Sequence, residues 1–154
     1  MKLDKFFSGL KRIANGDYVL EGDLIVDEDL EIDLDDRLVV RGKIEVKKSI
    51  AAKLSVITGW GIKAGWGIKA GWGIEAGEGI EAGCGIEAGD GIEAGEGIEA
   101  KTFIHSERRI FAGISVYHTS QNCNKTIKCA ELRKGEICFG DLVIEEPIVE
   151  MTIA

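Results

Sequence analysis

Apolar residues recur every six positions through most of this chain. From Gly61 to Ala100 the sequence runs GIKAGW, GIKAGW, GIEAGE, GIEAGC, GIEAGD, GIEAGE, GIEA, a strict hexad. Counted in sixes from Ile62, the isoleucine slot is filled backwards by Val56, Ile50, Ile44, Leu38, Ile32, Val26 and Leu20. Forwards it is filled by Ile68, Ile74, Ile80, Ile86, Ile92, Ile98, Ile104, Ile110 and Val116. The slot two residues later holds Leu34, Val40, Val46, Ala52 and Thr58, then alanine from Ala64 to Ala100, then Ser106 and Ala112. Seven slots before Ile62, Ile62 itself and nine after it make 17 hexads in one register, from Leu20 to about His118.

A repeat of this length sets the architecture before any local propensity is weighed. Two inward residues flanking one outward residue form a short β-strand, because side chains alternate faces. The other three positions turn a corner, and in the central hexads two of them are glycine, which tolerates the positive φ that tight corners often need. Strand and corner at a period of six predict a parallel β-solenoid in which each rung pairs with the next. The run Ala64-Gly65-Trp66-Gly67-Ile68 and the hexads after it resemble the hexapeptide-repeat family. That resemblance implies an all-β, single-stranded parallel β-helix, a triangular left-handed solenoid with six residues per face. Two features depart from the family pattern: the larger inward residue comes first and the smaller second, and Val26-Asp27-Glu28 puts an acidic residue in an inward slot, so the first coil is expected to be irregular. The segment Tyr18 to Ile57, with its Gly-Asp-Leu and Arg-Gly-Lys-Ile-Glu-Val-Lys-Lys-Ser-Ile, is also similar to bactofilin-type polymer-forming proteins, whose β-helix is right-handed.

Outside the repeat, Leu3, Phe6, Phe7, Leu10 and Ile13 fall on one face of a helical projection, with Asn15-Gly16 as a stop. This predicts an N-terminal capping helix within residues 1–17, followed by the β-helix of residues 18–118. Residues 119–154 form a C-terminal element, where alternation from Lys125 to Ile144 around Arg133-Lys134-Gly135-Glu136 predicts a β-hairpin that closes the end or pairs with a second subunit.

An 18-residue coil sorts the outward slots into three columns. One holds Asp27, Glu45, Lys63, Glu81, Glu99 and Tyr117, and a second Asp33, Ala51, Lys69, Glu87 and His105. The third holds Glu21, Val39, Ile57, Glu75, Glu93 and Phe111. Val39 above Ile57, with Leu54 nearby, is the candidate interface for a homo-oligomer, a dimer or trimer. Trp60, Trp66 and Trp72 share one corner slot in successive hexads, so they ring a single coil and no one flat partner can cover all three. They are expected to pack over the glycine-rich corners.

Charge narrows the function. The 154 residues carry 19 Lys+Arg against 27 Asp+Glu, a formal charge of −8, which argues against direct nucleic-acid binding. Between Gly73 and Ala100 there are eight acids and no base: Glu75, Glu78, Glu81, Glu87, Asp90, Glu93, Glu96 and Glu99. Stacked like charges repel, by up to about 1 kcal/mol per neighbouring pair in water. Lys63 over Glu81 and Lys69 over Glu87 are expected to relieve this at the edge of the run. These eight acids are the candidate surface for a basic macromolecular partner, a protein, docked by mimicry of nucleic-acid charge. A small, repetitive, acidic chain of this kind would suit an inhibitor carried by a phage or mobile element. No apolar run approaches the ~20 residues of a membrane-spanning helix. The N-terminus lacks a secretory core, so a cytoplasmic protein with reduced cysteines is expected.

Catalytic chemistry is sparse. Hexapeptide-repeat enzymes are mainly acyltransferases with a histidine base, and the only histidines are His105 and His118. His105 is the better placed, but no loop interrupts the repeat to wall a donor pocket, and nothing in the sequence identifies an orienting partner for it. His118, Cys123, Cys129 and Cys138 lack the Cys-x2-Cys spacing of zinc modules. The reading is therefore a non-enzymatic interaction protein with no catalytic residue, no metal and no cofactor. A bactofilin-like polymer and an acyltransferase are its alternatives.

Overall fold

A computed structural model of the chain describes residues 1–114 and 124–146. Val116, Tyr117, His118 and Cys123 lie outside the described residues. Within them the fold is an all-β solenoid with no helix. A leading segment forms β1 (Lys2–Asp4) and β2 (Leu10–Arg12). The first full coil is β3 (Tyr18–Leu20), β4 (Leu24–Val26) and β5 (Leu30–Asp33), and the second is β6 (Leu38–Val40), β7 (Ile44–Val46) and β8 (Ile50–Ala52). The third is β9 (Val56–Thr58), β10 (Ile62–Ala64) and β11 (Ile68–Ala70), and the fourth β12 (Ile74–Ala76), β13 (Ile80–Ala82) and β14 (Ile86–Ala88). β15 (Ile92–Ala94), β16 (Ile98–Ala100) and the first half of β17 (Phe103–Ala112) make the fifth. The second half of β17, then β18 (Thr126–Cys129) and the start of β19 (Glu131–Phe139), make the sixth, and the rest of β19 with β20 (Asp141–Ile144) begins a seventh.

Three faces result. The first stacks β1, β5, β8, β11, β14 and β17, the second β2, β3, β6, β9, β12, β15 and β17, and the third β4, β7, β10, β13, β16, β18 and β20. β17 turns the corner between the first two faces unbroken, so they join into one sheet. Pairing is parallel throughout except between β2 and β3. Rungs ~4.8 Å apart make the rod roughly 30 Å long.

The hexad is visible in burial. Ile62 and Ala64 are buried while Lys63 between them is exposed, and the same order repeats to Ile98 and Ala100 with a half-buried outward residue in the last strands. Branched isoleucine suits the pleated wall, and the alanine opposite leaves room for isoleucines from the other two faces.

The single register from Leu20 does not hold in the first coil. From β6 to β17 partners are 18 residues apart, as in Ile44 to Ile62 to Ile80 to Ile98. Tyr18, Leu24 and Leu30 instead pair with Leu38, Ile44 and Ile50, a spacing of 20. Two extra residues lie in the corner between Asp33 and Arg37. A slip of two conserves the inward and outward parity of a strand, so the apolar pattern hides it. Asp27 and Glu28 are therefore exposed corner residues, not inward ones, and the first coil is regular up to its long corner. That corner is held by the Tyr18 hydroxyl donating to Asp35 (2.6 Å) and by Arg37 gripping buried Asp17 through Nε (2.8 Å) and Nη2 (2.9 Å).

Neither predicted cap forms. Residues 2–12 give β1, a turn and β2, with Leu3 fully buried beside Ile32 while Phe6 is 82% exposed, so the five apolar residues do not share a face. Backbone pairing decides this: β1 completes the edge of β5 and β2 that of β3, contacts a helix could not make. At the other end the expected hairpin is absent. β19 continues through Arg133–Glu136 without a reversal, following β17 in parallel around the corner with shifts of register, and β20 pairs in parallel with β18, so residues 124–144 extend the solenoid. The ends differ as a result. Leu3 is buried, with Met1, Phe7 and Leu10 packed against the core, whereas Leu142 and Ile144, in register over buried Ile127 and Cys129, are 41% and 52% exposed.

The glycines act differently from the expectation too. Positive φ occurs at Gly9, Gly16, Gly22, Gly113, Gly135 and Gly140, and at none of the central hexad glycines. What the corners require is close approach. A Cβ on Gly77 would stand 2.1 Å from the carbonyl oxygen of Gly59 on the coil below.

Candidate functional site

Glu75 lies over Ile57 and under Glu93 on the second face, and Glu81 lies under Glu99 on the third. Between these columns runs a corner column. The Glu78 N–H donates to the Trp60 carbonyl (3.2 Å) and the Glu96 N–H to that of Glu78 (3.3 Å). Six carboxylates thus form a grid two coils high and three columns wide, wrapped around the corner between the second and third faces.

The other two acids stand apart. Glu87 is on the first face between Lys69 and His105. Asp90 is on the corner between the first and second faces, where it pairs with Arg108 at 3.2 Å. The predicted run of eight therefore divides into a ridge of six and two outliers, because six residues carry the chain through a third of a coil. Lys63 and Glu81 are in register, as are Lys69 and Glu87, but neither couple closes an ion pair. Lys63 below and Lys128 above Glu99 bracket the ridge on the third face. Lys128 fills the position assigned from sequence to Tyr117, and Ile25 that assigned to Asp27.

Burial, and then the neighbouring Glu75, push the Glu93 carboxyl above its ordinary range. A raised folded-state value means that this group stabilises the fold when protonated, a contribution lost as pH rises through the folded value. Glu93→Gln is expected to raise the thermal midpoint at neutral pH, by a gain below about 1 kcal/mol at this half-exposed site. The gain should vanish below about pH 4. Melting curves at the two pH values check this, and a variant less stable at neutral pH would contradict it.

The apolar candidates lie where sequence placed them. Val39 and Ile57 are adjacent on the second face, over Val19 where Glu21 was expected, and all of Val39, Ile57 and corner residue Leu54 are half-buried. The three tryptophans occupy the three corners of one level of the rod, each more than half exposed.

One arrangement escaped the sequence reading. His105 Nε2 lies 2.7 Å from Glu107 Oε1, and Lys134 Nζ donates to Glu107 Oε2 at 2.5 Å. Hydrogen bonds from His105 and then Lys134 hold the Glu107 carboxyl below its usual range. The available signal was spacing, since residues 105 and 107 share one side of β17. Cys129 is buried in the core, which pushes its thiol up, while Cys84 and Cys138 are exposed.

A groove of 560 Å³ runs along the third face, with Gly61, Gly79 and Gly97 among its lining and Trp60, Glu78 and Glu96 along one side. Compared with known proteins, the chain matches no family model, no curated protein and no solved structure, so the reading of this surface rests on its own geometry.

Proposed function

We propose that the chain is a non-enzymatic interaction protein whose acidic ridge docks on the basic surface of a protein partner, of the kind that otherwise binds nucleic acid. The observation that carries this is the six-carboxylate grid, with Glu75, Glu78 and Glu81 on one coil directly beneath Glu93, Glu96 and Glu99 on the next. Strands and corner hydrogen bonds fix the backbone, so the six glutamate side chains spring from anchor points held at ~4.8 Å intervals along the rod. Such a field steers a basic partner and fixes its orientation. We take the rod to be left-handed, as in hexapeptide-repeat proteins, on the strength of its 18-residue coils with three strands each. The half-buried Val39–Ile57 column, edged by Leu54, supports self-association through the second face.

The test is competition. The chain should displace a labelled duplex from basic nucleic-acid-binding proteins, and replacing the six ridge glutamates by glutamine should weaken displacement about a hundredfold. Glu87→Gln with Asp90→Asn should change it little. Displacement that survives loss of the ridge would remove this reading.

A second reading, a scaffold polymer, is favoured by the C-terminal end, where core-slot residues Leu142 and Ile144 are exposed. Light scattering distinguishes the two: a discrete small oligomer supports the binding module, and long assemblies support the polymer.

A further inference from the structure

We infer that the segment this surface engages is a cationic amphipathic α-helix lying along the rod axis in the groove of the third face. This rests on the ridge reading above and names the ligand class. The outward column of that face is Glu45, Lys63, Glu81, Glu99 and Lys128, one residue per rung. Its two ends are occupied, Glu45 by Lys43 (3.1 Å) and Lys128 by Glu145 (2.6 Å). Lys63, Glu81 and Glu99 between them make no ion pair among the described residues. The centre of this column therefore presents one cation followed by two carboxylates at ~4.8 Å steps.

A helix matches that ruler. Its rise of ~1.5 Å per residue sets positions i and i+3 about 4.5 Å apart, and i and i+7 about 10.5 Å apart, against two rungs of about 9.6 Å. An acid at i and bases at i+3 and i+7 stand opposite Lys63, Glu81 and Glu99. An extended strand fits poorly, because its same-side residues are about 6.7 Å apart and lose step with the rungs at once. Glu78 along the wall adds its charge to those of Glu81 and Glu99, so the helix is cationic overall. Trp60, on the same rung as Lys63, is an exposed anchor for an apolar residue beside the helix's acid.

Two helix-stabilised, labelled peptides of identical composition test this against the full chain. One carries Glu, Arg, Arg at i, i+3 and i+7, and the other Arg, Glu, Arg, an order that turning the helix end for end does not convert into the first. Fluorescence anisotropy is expected to show the first binding about tenfold more tightly. Lys63→Glu combined with Glu81→Lys, both exposed outward positions, should invert the preference. Equal binding of both peptides, or a preference the double variant leaves unchanged, would overturn the inference. If neither peptide binds while the glutamine ridge variant still loses displacement of duplex, the helix is wrong and the ridge reading stands; if displacement is also insensitive to the ridge, both fall.

Discussion

Gly77→Ala is expected to lower the unfolding free energy by about 2–4 kcal/mol. Gly79→Ala, two residues along the same corner, is expected to be neutral or to add up to ~1 kcal/mol. The contrast comes from what each new methyl meets. On Gly77 it would stand 2.1 Å from the carbonyl oxygen of Gly59 and 2.9 Å from its carbon, and these are backbone atoms that cannot rotate away. On Gly79 the nearest atom is the carbonyl oxygen of Gly97 at 3.4 Å, an ordinary contact. Relief at Gly77 would have to lift one coil off the next and stretch the 3.1 Å bond from the Gly77 N–H to the Thr58 carbonyl. Equilibrium denaturation of both variants measures the difference, and equal stability would show that the corners relax freely.

Ile86→Ala is expected to cost about 2–5 kcal/mol and Ile86→Val about 0.5–1.5 kcal/mol. Ile86 is fully buried, with Ile68 beneath it and Ile104 above, in a column whose strands are fixed by pairing on both sides. The walls cannot collapse to fill the gap, because each rung is held at the spacing of its neighbours. Leu142→Ala removes as many carbons from the same kind of slot but should cost below about 1 kcal/mol, since Leu142 is 41% exposed at the open end. Denaturant midpoints for the three variants test the gradient. A Leu142→Ala loss as large as that of Ile86→Ala would mean that the C-terminal coil is covered in solution.

The repeating part of this architecture was legible because one hexad specifies both strand and corner, and sixfold spacing cannot be satisfied by a helix or by an ordinary hairpin. Columns such as Val39 under Ile57, or Glu75 under Glu93, followed by counting. Three things were not legible, each for a physical reason. The two-residue insertion before Arg37 preserves strand parity, so Leu20, Val26 and Ile32 look equally good in either inward slot. The segment from Leu3 to Ile13 has helical spacing, but the unpaired edges of β3 and β5 recruit it as strands. The alternation from Lys125 to Ile144 is real strand signal, and only the partner was misjudged, since β17 and β18 offer edges already in place. At the candidate site the eight acids were found, but their division into six and two depends on which corner each column occupies. The same count of 18 places Glu78 over Trp60 and Glu96 over Glu78, as the hydrogen bonds between coils show, so the division was open to counting but was not drawn for the corner positions.

The closed N-terminal end has a consequence for how the chain is made. Residues 1–33 contain β1, β2 and the whole first coil, so the template for stacking is complete before the hexads follow it out of the ribosome. Each strand from β9 to β17 then finds its edge only 18 residues back along the chain, a short loop to close and the same loop each time. Synthesis from N- to C-terminus and growth of the rod therefore run in the same direction, with each coil a finished seed for the next.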